Sequence, residues 1–193
     1  MRFLVECHQQ PTEKQSGRTM RYFKLILVSL AMLLVVALIA VVLMHGKREI
    51  AASIWIDRPP ADVWCVLADT REYAKWNPMI SRINGELRTG SVIEIDLGSQ
   101  DSDPVVFHPT VLVVQPNREL RWLGHVGTAG IFDGEHRFQL EARGTGTRFV
   151  QIERFSGWLV GHFTDSILDD TLDQMKAMDS ALKRRVEAVR RCH

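Results

Sequence analysis

The 193-residue chain has 24 basic and 23 acidic side chains, which give a formal net charge of +1. This near balance excludes a strong global field that would recruit nucleic acid or a highly acidic partner. The three cysteines, Cys7, Cys65 and Cys192, have no repeated spacing, so they predict neither a disulfide framework nor a zinc site. The length leaves room for one domain of about 145 residues after an N-terminal tail and an apolar segment.

The N-terminal part of the chain divides into a polar tail and an apolar segment. Residues 1–22 are polar and mixed in charge, which predicts a disordered tail. Segment 23–45 contains the run Leu25–Met44, in which Ser29 is the only polar residue. As a helix this run matches the roughly 30 Å hydrocarbon core of a bilayer, so it predicts a single transmembrane helix.

A cleaved signal peptide and a buried helix are the alternatives to an anchor. The run is longer than a signal-peptide core, and it ends at Met44 without a small-residue cleavage site. Basic residues lie on both sides of it, and their distribution slightly favours a cytoplasmic N-terminus with the domain outside. We therefore expect a single-pass membrane protein.

Strand and helix signals follow in order after the apolar segment. Alternating apolar and polar residues predict a first strand over 50–57, which Pro59 and Pro60 end. A short helix over 61–69 and a further helical turn over 73–78 come next. Further strands are predicted over 83–87, 92–97, 105–114, 120–126, 132–141 and 147–155.

The segment from Gly157 to Arg191 predicts one long amphipathic helix. It has no glycine or proline after Gly161, and its apolar residues recur mostly every three or four positions. Acidic residues come early and basic residues late, as the helix dipole favours. Because such a helix must bury its apolar stripe, we expect an α+β fold in which a curved antiparallel sheet closes against it.

The last two strands can be paired residue by residue. If Gly144 and Thr145 form the tip of the turn, Arg143 faces Gly146. Two opposite-charge pairs then lie on the outer face: Glu135 with Arg154, and Glu141 with Arg148. The same register places His136 opposite Glu153 on the inner face, which looks toward the long helix.

This inner face predicts a candidate site. A carboxylate beside a histidine favours the charged imidazole and can form a general acid or base, whereas the simpler interpretation is that His136 and Glu153 satisfy each other and hold the sheet. Trp122 alternates with Gly124, and small residues such as Gly124 and Gly134 leave room for a pocket or mark a bulge. No metal-ligand spacing and no cofactor fingerprint occurs, so neither a metal nor a cofactor is predicted.

Several short segments are typical of one superfamily. They are Pro60–Trp64, Leu67–Asp69, Trp76–Pro78, Phe107–Val113, Pro116–Trp122, Phe132–His136 and Glu153–Gly157. On these segments the chain resembles the START-like helix-grip superfamily, SRPBCC, particularly its polyketide cyclase/dehydrase-like and lipid-transport-like branch. The resemblance implies a START-like ligand-binding domain over 47–191, with a deep apolar cavity between the curved sheet and the long C-terminal helix. Members bind lipids, sterols, polyketides or plant hormones, and some cyclise or dehydrate their ligand.

Together these features predict a membrane-anchored domain that binds a hydrophobic small molecule, such as a lipid, a quinone or a polyketide-like compound. The expected ligand contacts are Trp122, Phe132, His136, Phe138, Gln151, Glu153, Phe163 and Ile167. One alternative is a cyclase- or dehydratase-type enzyme with His136 and Glu153 as weak catalytic candidates. Another is a protein-interaction module resembling the chaperone activators of the superfamily.

Overall fold

The computed structural model describes residues 13–43, 46–98, 104–162 and 165–189. The chain forms two compact units, residues 1–44 and 45–193. The first unit contains helix α1, Glu13–Leu43, and its stretch Met20–Val41 is long and apolar enough to cross a membrane or to be a signal sequence. Residues 13–22 belong to this helix rather than to the predicted tail, because Gly17 is their only strong helix breaker and the apolar segment extends the helix backwards. Residues 1–12 of the predicted tail lie outside the described residues.

The second unit contains eight strands and two α-helices within the described residues. In chain order these are β1 (Gly46–Ile56), α2 (Pro60–Ala68), β2 (Ile80–Asn84), β3 (Glu94–Leu97), β4 (Val105–Phe107), β5 (Thr110–Gln115), β6 (Glu119–His125), β7 (Asp133–Arg143), β8 (Gly146–Gly157) and α3 (Asp165–Ala188). Short 3₁₀ turns occupy Thr70–Lys75 and Leu159–His162. The α+β helix-grip class predicted from the sequence is confirmed.

The strands form two antiparallel sheets rather than one continuous sheet. The larger has five strands in the order β1-β8-β7-β6-β5, and the smaller has three in the order β2-β3-β4. The predicted strand over 105–114 is wrong, because it breaks at His108–Pro109, where proline lacks the N–H that a ladder needs. Its first part pairs with β3 and its second part with β6, while an isolated bridge between Val92 and Thr110 joins the sheets.

The hairpin of β7 and β8 has the predicted register. Arg143 faces Gly146, and His136 faces Glu153. The two predicted charge pairs also face each other: Glu135 with Arg154, and Glu141 with Arg148. Both sit on the accessible side of the sheet, so each contributes little to stability on its own and serves mainly to select this register.

Helix α3 starts later than predicted. Strand β8 continues to Gly157, and the helix begins at Asp165 instead of near Gly157. Gly157 has a φ of 135°, and a Cβ there would lie 2.4 Å from the carbonyl oxygen of Ile131. The strand therefore packs closely against the β6–β7 connection at the point where the sequence analysis placed the first helical turn.

Strand β2 and the smaller sheet also differ from prediction at their ends. The strand predicted over 83–87 lies at Ile80–Asn84 and is followed by Gly85, which has a φ of 112°. Its partner β3 is shorter than the predicted 92–97. Glycine at Gly85 permits a turn that a residue with a side chain would resist, and this turn ends the ladder.

The C-terminal half of α3 fills the core of the second unit. Met178, Leu182 and Val186 are buried in one cluster with α2 and the larger sheet. Burying such side chains stabilises the fold by roughly 1.5–3 kcal/mol each. Glu187 fixes this end of the helix, because its Oε1 accepts from the Asp57 N–H at 3.1 Å and its carbonyl oxygen accepts from Arg58 at 3.2 Å. The N-terminal half of α3 lies outside this cluster and covers a different part of the sheets.

Cys65, on α2, is half-buried and disulfide-bonded. The cysteine spacing did not predict a bond at this position. The other two cysteines, Cys7 and Cys192, lie outside the described residues.

Candidate ligand-binding cavity

A cavity of about 230 Å³ lies among the two sheets and the N-terminal half of α3. Strands β6, β7 and β8 supply part of the wall, the smaller sheet supplies another part, and α3 contributes Thr171 and Gln174. Its surface is mostly apolar. This matches the general form of small-molecule sites, in which apolar walls carry a few polar groups that orient the ligand.

Four of the side chains predicted from the sequence lie on the wall of this cavity: Trp122, Phe132, His136 and Glu153. Two others, Phe138 and Gln151, are fully buried beneath the wall and do not line it. Phe163 lies outside the described residues. Ile167 belongs to α3, but its side chain is not among those described. The role of all eight as ligand contacts remains a prediction.

Aromatic rings pack in two groups at the cavity wall. The ring of Phe138 lies 5.1 Å from that of Trp122 and 4.4 Å from that of His136, measured between centroids. Phe132 stacks on Phe155 at 5.6 Å. Such pairs add about 0.5–1.5 kcal/mol beyond area burial. Phe138 therefore packs behind Trp122 and His136 and supports both rings.

The contribution of the smaller sheet was missed by the sequence analysis. Six residues from this region line the cavity: Met79, Ile80, Ile95, Leu97, Phe107 and Pro109. Ile95 and Leu97 are two positions apart in the strand predicted over 92–97, so they share a face, but the sequence does not show which space that face lines. Because the break at Pro109 was not predicted, neither the second sheet nor its part of the cavity wall was predicted.

Two glycines keep the cavity open. Both Gly124 and Gly134 line it, in agreement with the prediction that small residues on this face leave room. A Cβ on Gly134 would lie 3.0 Å from Oε1 of Glu153, which is tighter than ordinary contact. A Cβ on Gly124 would meet only the Pro109 side chain, at 3.6 Å. Space is therefore reserved in front of Glu153 and beside Pro109.

A buried polar chain runs from the cavity wall to α3. His136 Nδ1 contacts Oε2 of Glu153, and its Nε2 lies 2.9 Å from Oε1 of Gln151. The Gln151 amide nitrogen donates to Oδ1 of Asp179 at 2.5 Å and to the carbonyl oxygen of Met175 at 3.2 Å. The chain ties β7 and β8 to the helix that covers them.

The hydrogen-bond acceptors on α3 determine which atoms of the buried polar chain carry the protons. The Met175 carbonyl can only accept, so it orients the Gln151 amide with its oxygen toward His136. Nε2 of His136 is therefore a donor. Its Nδ1 faces Oε2 of the Glu153 carboxylate, and this contact favours a proton on Nδ1 and hence the imidazolium form of the ring. Burial lowers the pKa of His136, but the Glu153 carboxylate outweighs it, with help from Gln151 and Asp179, and the net shift is upward.

Asp179 is an acidic residue of the buried polar chain, and its pKa is raised. Burial raises its pKa to about 6, against the opposing effects of the Gln151 hydrogen bond and the His136 charge. The sequence analysis did not select Asp179. Its position between Met178 and Leu182, inside the apolar stripe of the helix, was the available signal that it is buried.

These contacts bear on the acid/base hypothesis. Both ring nitrogens of His136 are engaged by protein groups, so the ring has no free nitrogen to offer a ligand. Oε1 of Glu153 is the remaining polar atom of the pair beside the cavity, next to Gly134. Among the described residues, no group of three or more His, Cys, Asp or Glu side chains is arranged to hold a metal ion. The arrangement favours a ligand-orienting and structural role.

An exposed apolar patch adjoins the cavity. It consists of Val126, Ile131, Trp158 and Leu159, whose exposed fractions are 48, 39, 39 and 38%. Backbone bonds hold the patch together: the Leu159 N–H donates to the Ile131 carbonyl at 3.0 Å, and the Val126 N–H donates to the Phe132 carbonyl at 2.9 Å. Val126 also lines the cavity, so the patch reaches its rim.

Comparison with known proteins identifies a family model that matches the second unit. The family model described as polyketide cyclase/dehydrase and lipid transport matches residues 47–187. The comparison with curated protein sequences gives no match.

Solved structures share the fold at low sequence identity. Ara h 8.0201 aligns with a TM-score of 0.59 and 16% identity over 75% of this chain and 100% of its own. The Zhui aromatase/cyclase from Streptomyces sp. R1128 gives 0.58 and 18% over 74% and 94%. A START superfamily protein from Mycobacterium smegmatis gives 0.57 and 17% over 74% and 98%. At these identities the likeness establishes the fold alone.

Proposed function

The chain belongs to the polyketide cyclase/dehydrase and lipid-transport family, and from this premise we propose that it is a membrane-anchored protein that binds a hydrophobic small molecule in the cavity under α3. The observation that carries the proposal is the cavity itself. It has about 230 Å³ of space, an aromatic and aliphatic wall, and a single carboxylate among the described lining residues. Burying an apolar ligand against such a wall gains roughly 25 cal/mol for each Å² removed from water.

The anchor in this proposal is α1. Its described stretch Met20–Val41 has the length and composition of a membrane span. Strand β1, the first strand of the second unit, begins at Gly46. Gly46 pairs with Gly157, the neighbour of Trp158 in the apolar patch. An exposed patch containing tryptophan is suited to the membrane interface, where it would bring the cavity rim to the lipid.

The domain is proposed to lie on the oxidising side of the membrane, with the N-terminus in the cytoplasm. The support is the disulfide at Cys65, because such bonds persist outside reducing compartments. The slight excess of basic residues before the apolar run points the same way.

Photolabelling tests the binding proposal. The full chain in lipid nanodiscs is irradiated with an alkyl diazirine that has no polar headgroup, and the adducts are mapped by peptide mass spectrometry. We expect adducts that fragment spectra assign to Trp122 and Phe132 themselves, rather than to Val126 and Ile131 of the apolar patch, in addition to adducts on α1. The peptide containing Trp55, which is 45% exposed, is the internal control for accessible aromatic surface. Labelling confined to α1, or equal labelling of the Trp55 and Trp122 peptides, would contradict the proposal.

Thiol counting tests the proposed orientation. The chain is denatured from freshly isolated membranes, and its three cysteines are modified with a polyethylene-glycol maleimide before and after reduction. One modified cysteine before reduction and three after it are expected. Three modified cysteines before reduction would argue for a domain in a reducing compartment.

A further inference from the structure

The charges around the cavity are unevenly distributed. Among the lining residues that the structure describes, Glu153 is the only carboxylate, and no lysine or arginine is present. The two histidines differ in position: His125 is exposed, whereas His136 is 5% exposed. An anionic ligand group that enters the interior would therefore meet His136 as its nearest buried cation.

Both ring nitrogens of His136 already contact protein groups. Glu153 occupies its Nδ1 and Gln151 occupies its Nε2, and an imidazolium has only these two N–H donors. Gln151 cannot turn to release it, because its amide nitrogen is held by Met175 and Asp179. The cation and its carboxylate form a pair that is neutral overall and offers no donor to the cavity.

Glu153 keeps one acceptor on the cavity side. Its Oε2 is held by His136, while its Oε1 lies over Gly134 at the distance that a Cβ there would crowd. Any larger residue at Gly134 would obstruct this oxygen. The glycine thus leaves a carboxylate oxygen beside the cavity, in a wall whose other described polar side chains are His125, His136, Thr171 and Gln174.

We infer that the cavity selects apolar ligands that carry a hydroxyl group, an alcohol or a phenol, over ligands of the same shape that end in a carboxylate. This inference rests on the proposed function and specifies its ligand class. A hydroxyl donates to Oε1 of Glu153 and gains a charge-assisted hydrogen bond. A carboxylate would instead be buried without a cation and against a like charge.

The expected size of the preference for the alcohol follows from the hydrogen bond that it gains and the repulsion that the carboxylate meets. The alcohol gains a hydrogen bond to a charged group, whereas the carboxylate ligand lacks this bond and is repelled by the Glu153 charge. We expect at least about a tenfold preference for the alcohol, since each factor of ten corresponds to roughly 1.4 kcal/mol.

A matched pair of probes tests the inference. The full chain in nanodiscs is photolabelled at pH 8 with two alkyl diazirines of equal chain length, one ending in a primary alcohol and the other in a carboxylate. Adducts are counted on the Trp122 and Phe132 peptides and are normalised to those on α1, which corrects for partitioning into lipid. The expected result is at least about tenfold more cavity labelling by the alcohol.

Two variants complete the test. Glu153→Gln removes the like charge, so the alcohol-to-carboxylate ratio should fall toward one, mainly because the carboxylate probe gains. Glu141→Gln is the matched control on the outer face, where Glu141 contacts Arg148, and it should leave the ratio unchanged.

The wild-type ratio decides the inference even if Glu153→Gln does not fold. Equal labelling by the two probes, or a preference for the carboxylate, overturns the selection for hydroxyl ligands while the binding proposal stands. Absence of cavity labelling by both probes, together with absence of labelling by the headgroup-free diazirine, overturns both.

Discussion

Replacing Gly124 by leucine is expected to eliminate ligand binding while the domain remains folded. Gly124 lines the cavity, has no positive φ, and has only the Pro109 side chain near its missing Cβ. A leucine side chain would therefore extend into the free volume of about 230 Å³ rather than into packed atoms. Occupying that volume should weaken ligand binding at least about 100-fold, or roughly 2.7 kcal/mol. Photolabelling of the Trp122 and Phe132 peptides measures the loss.

The matched control for this variant is Ala142→Leu. Ala142 is an exposed residue of β7 and does not line the cavity, so a leucine side chain at this position should leave labelling unchanged. Circular dichroism and the unfolding midpoint show whether both variants keep the fold. Wild-type labelling in a folded Gly124→Leu chain would mean that ligands do not occupy this cavity.

Replacing Asp179 by asparagine is expected to change how stability depends on pH. Asp179 is 2% exposed and its pKa is raised from the usual 3.8 to about 6. Between about pH 4 and pH 6 the folded chain therefore binds a proton that the unfolded chain has lost, and the free energy of unfolding falls as pH rises through this window. The shift of about two pH units corresponds to roughly 2–3 kcal/mol.

Asparagine keeps an acceptor for the Gln151 amide but does not titrate. We expect the free energy of unfolding of Asp179→Asn, relative to that of wild type, to be about 2–3 kcal/mol higher at pH 8 than at pH 4. The difference between the two pH values removes any constant cost of the substitution. His136, whose pKa is also raised, adds a further loss of stability above about pH 6.5 in both proteins.

Urea unfolding of the full chain in detergent, measured across pH, provides these values. Asp173→Asn is the control, because Asp173 lies on the same helix, and its side chain is 74% exposed beside Lys176. It should give curves that run nearly parallel to wild type. Parallel curves for Asp179→Asn as well would show that Asp179 is ionised in the folded chain above pH 4.

The hairpin of β7 and β8 was predictable because its signals are local. Alternation fixed which residues share a face, and the two charge pairs fixed the register, so His136 was correctly placed opposite Glu153. A sheet that closes against a long helix was likewise predictable from the order of elements and from the amphipathic stripe of α3, and the family resemblance identified this arrangement as the helix-grip class. The register and the closure of the sheet required only neighbours in sequence and the rule that apolar faces must be covered.

The division into two sheets and the buried polar chain were not predictable in the same way. Pro109 lies within an apolar run, and the sequence does not state whether the ladder bends or changes partner there. Gln151 and Asp179 are 28 residues apart, and their contact depends on the rotation of α3, which begins later than predicted. Phe138 and Gln151 share the inward face with the lining residues, but the position of α3 decides that they lie beneath the wall.

Native mass spectrometry of the full chain, released from its membrane in detergent, tests most directly whether the cavity holds a small molecule. The intact mass is compared with the denatured mass, and any released compound is identified. The expected result is an apolar, hydroxyl-bearing compound that is lost on denaturation and is absent from the Gly124→Leu variant. A protein without bound mass, which also takes up neither the headgroup-free probe nor the alcohol probe, would contradict the proposed function.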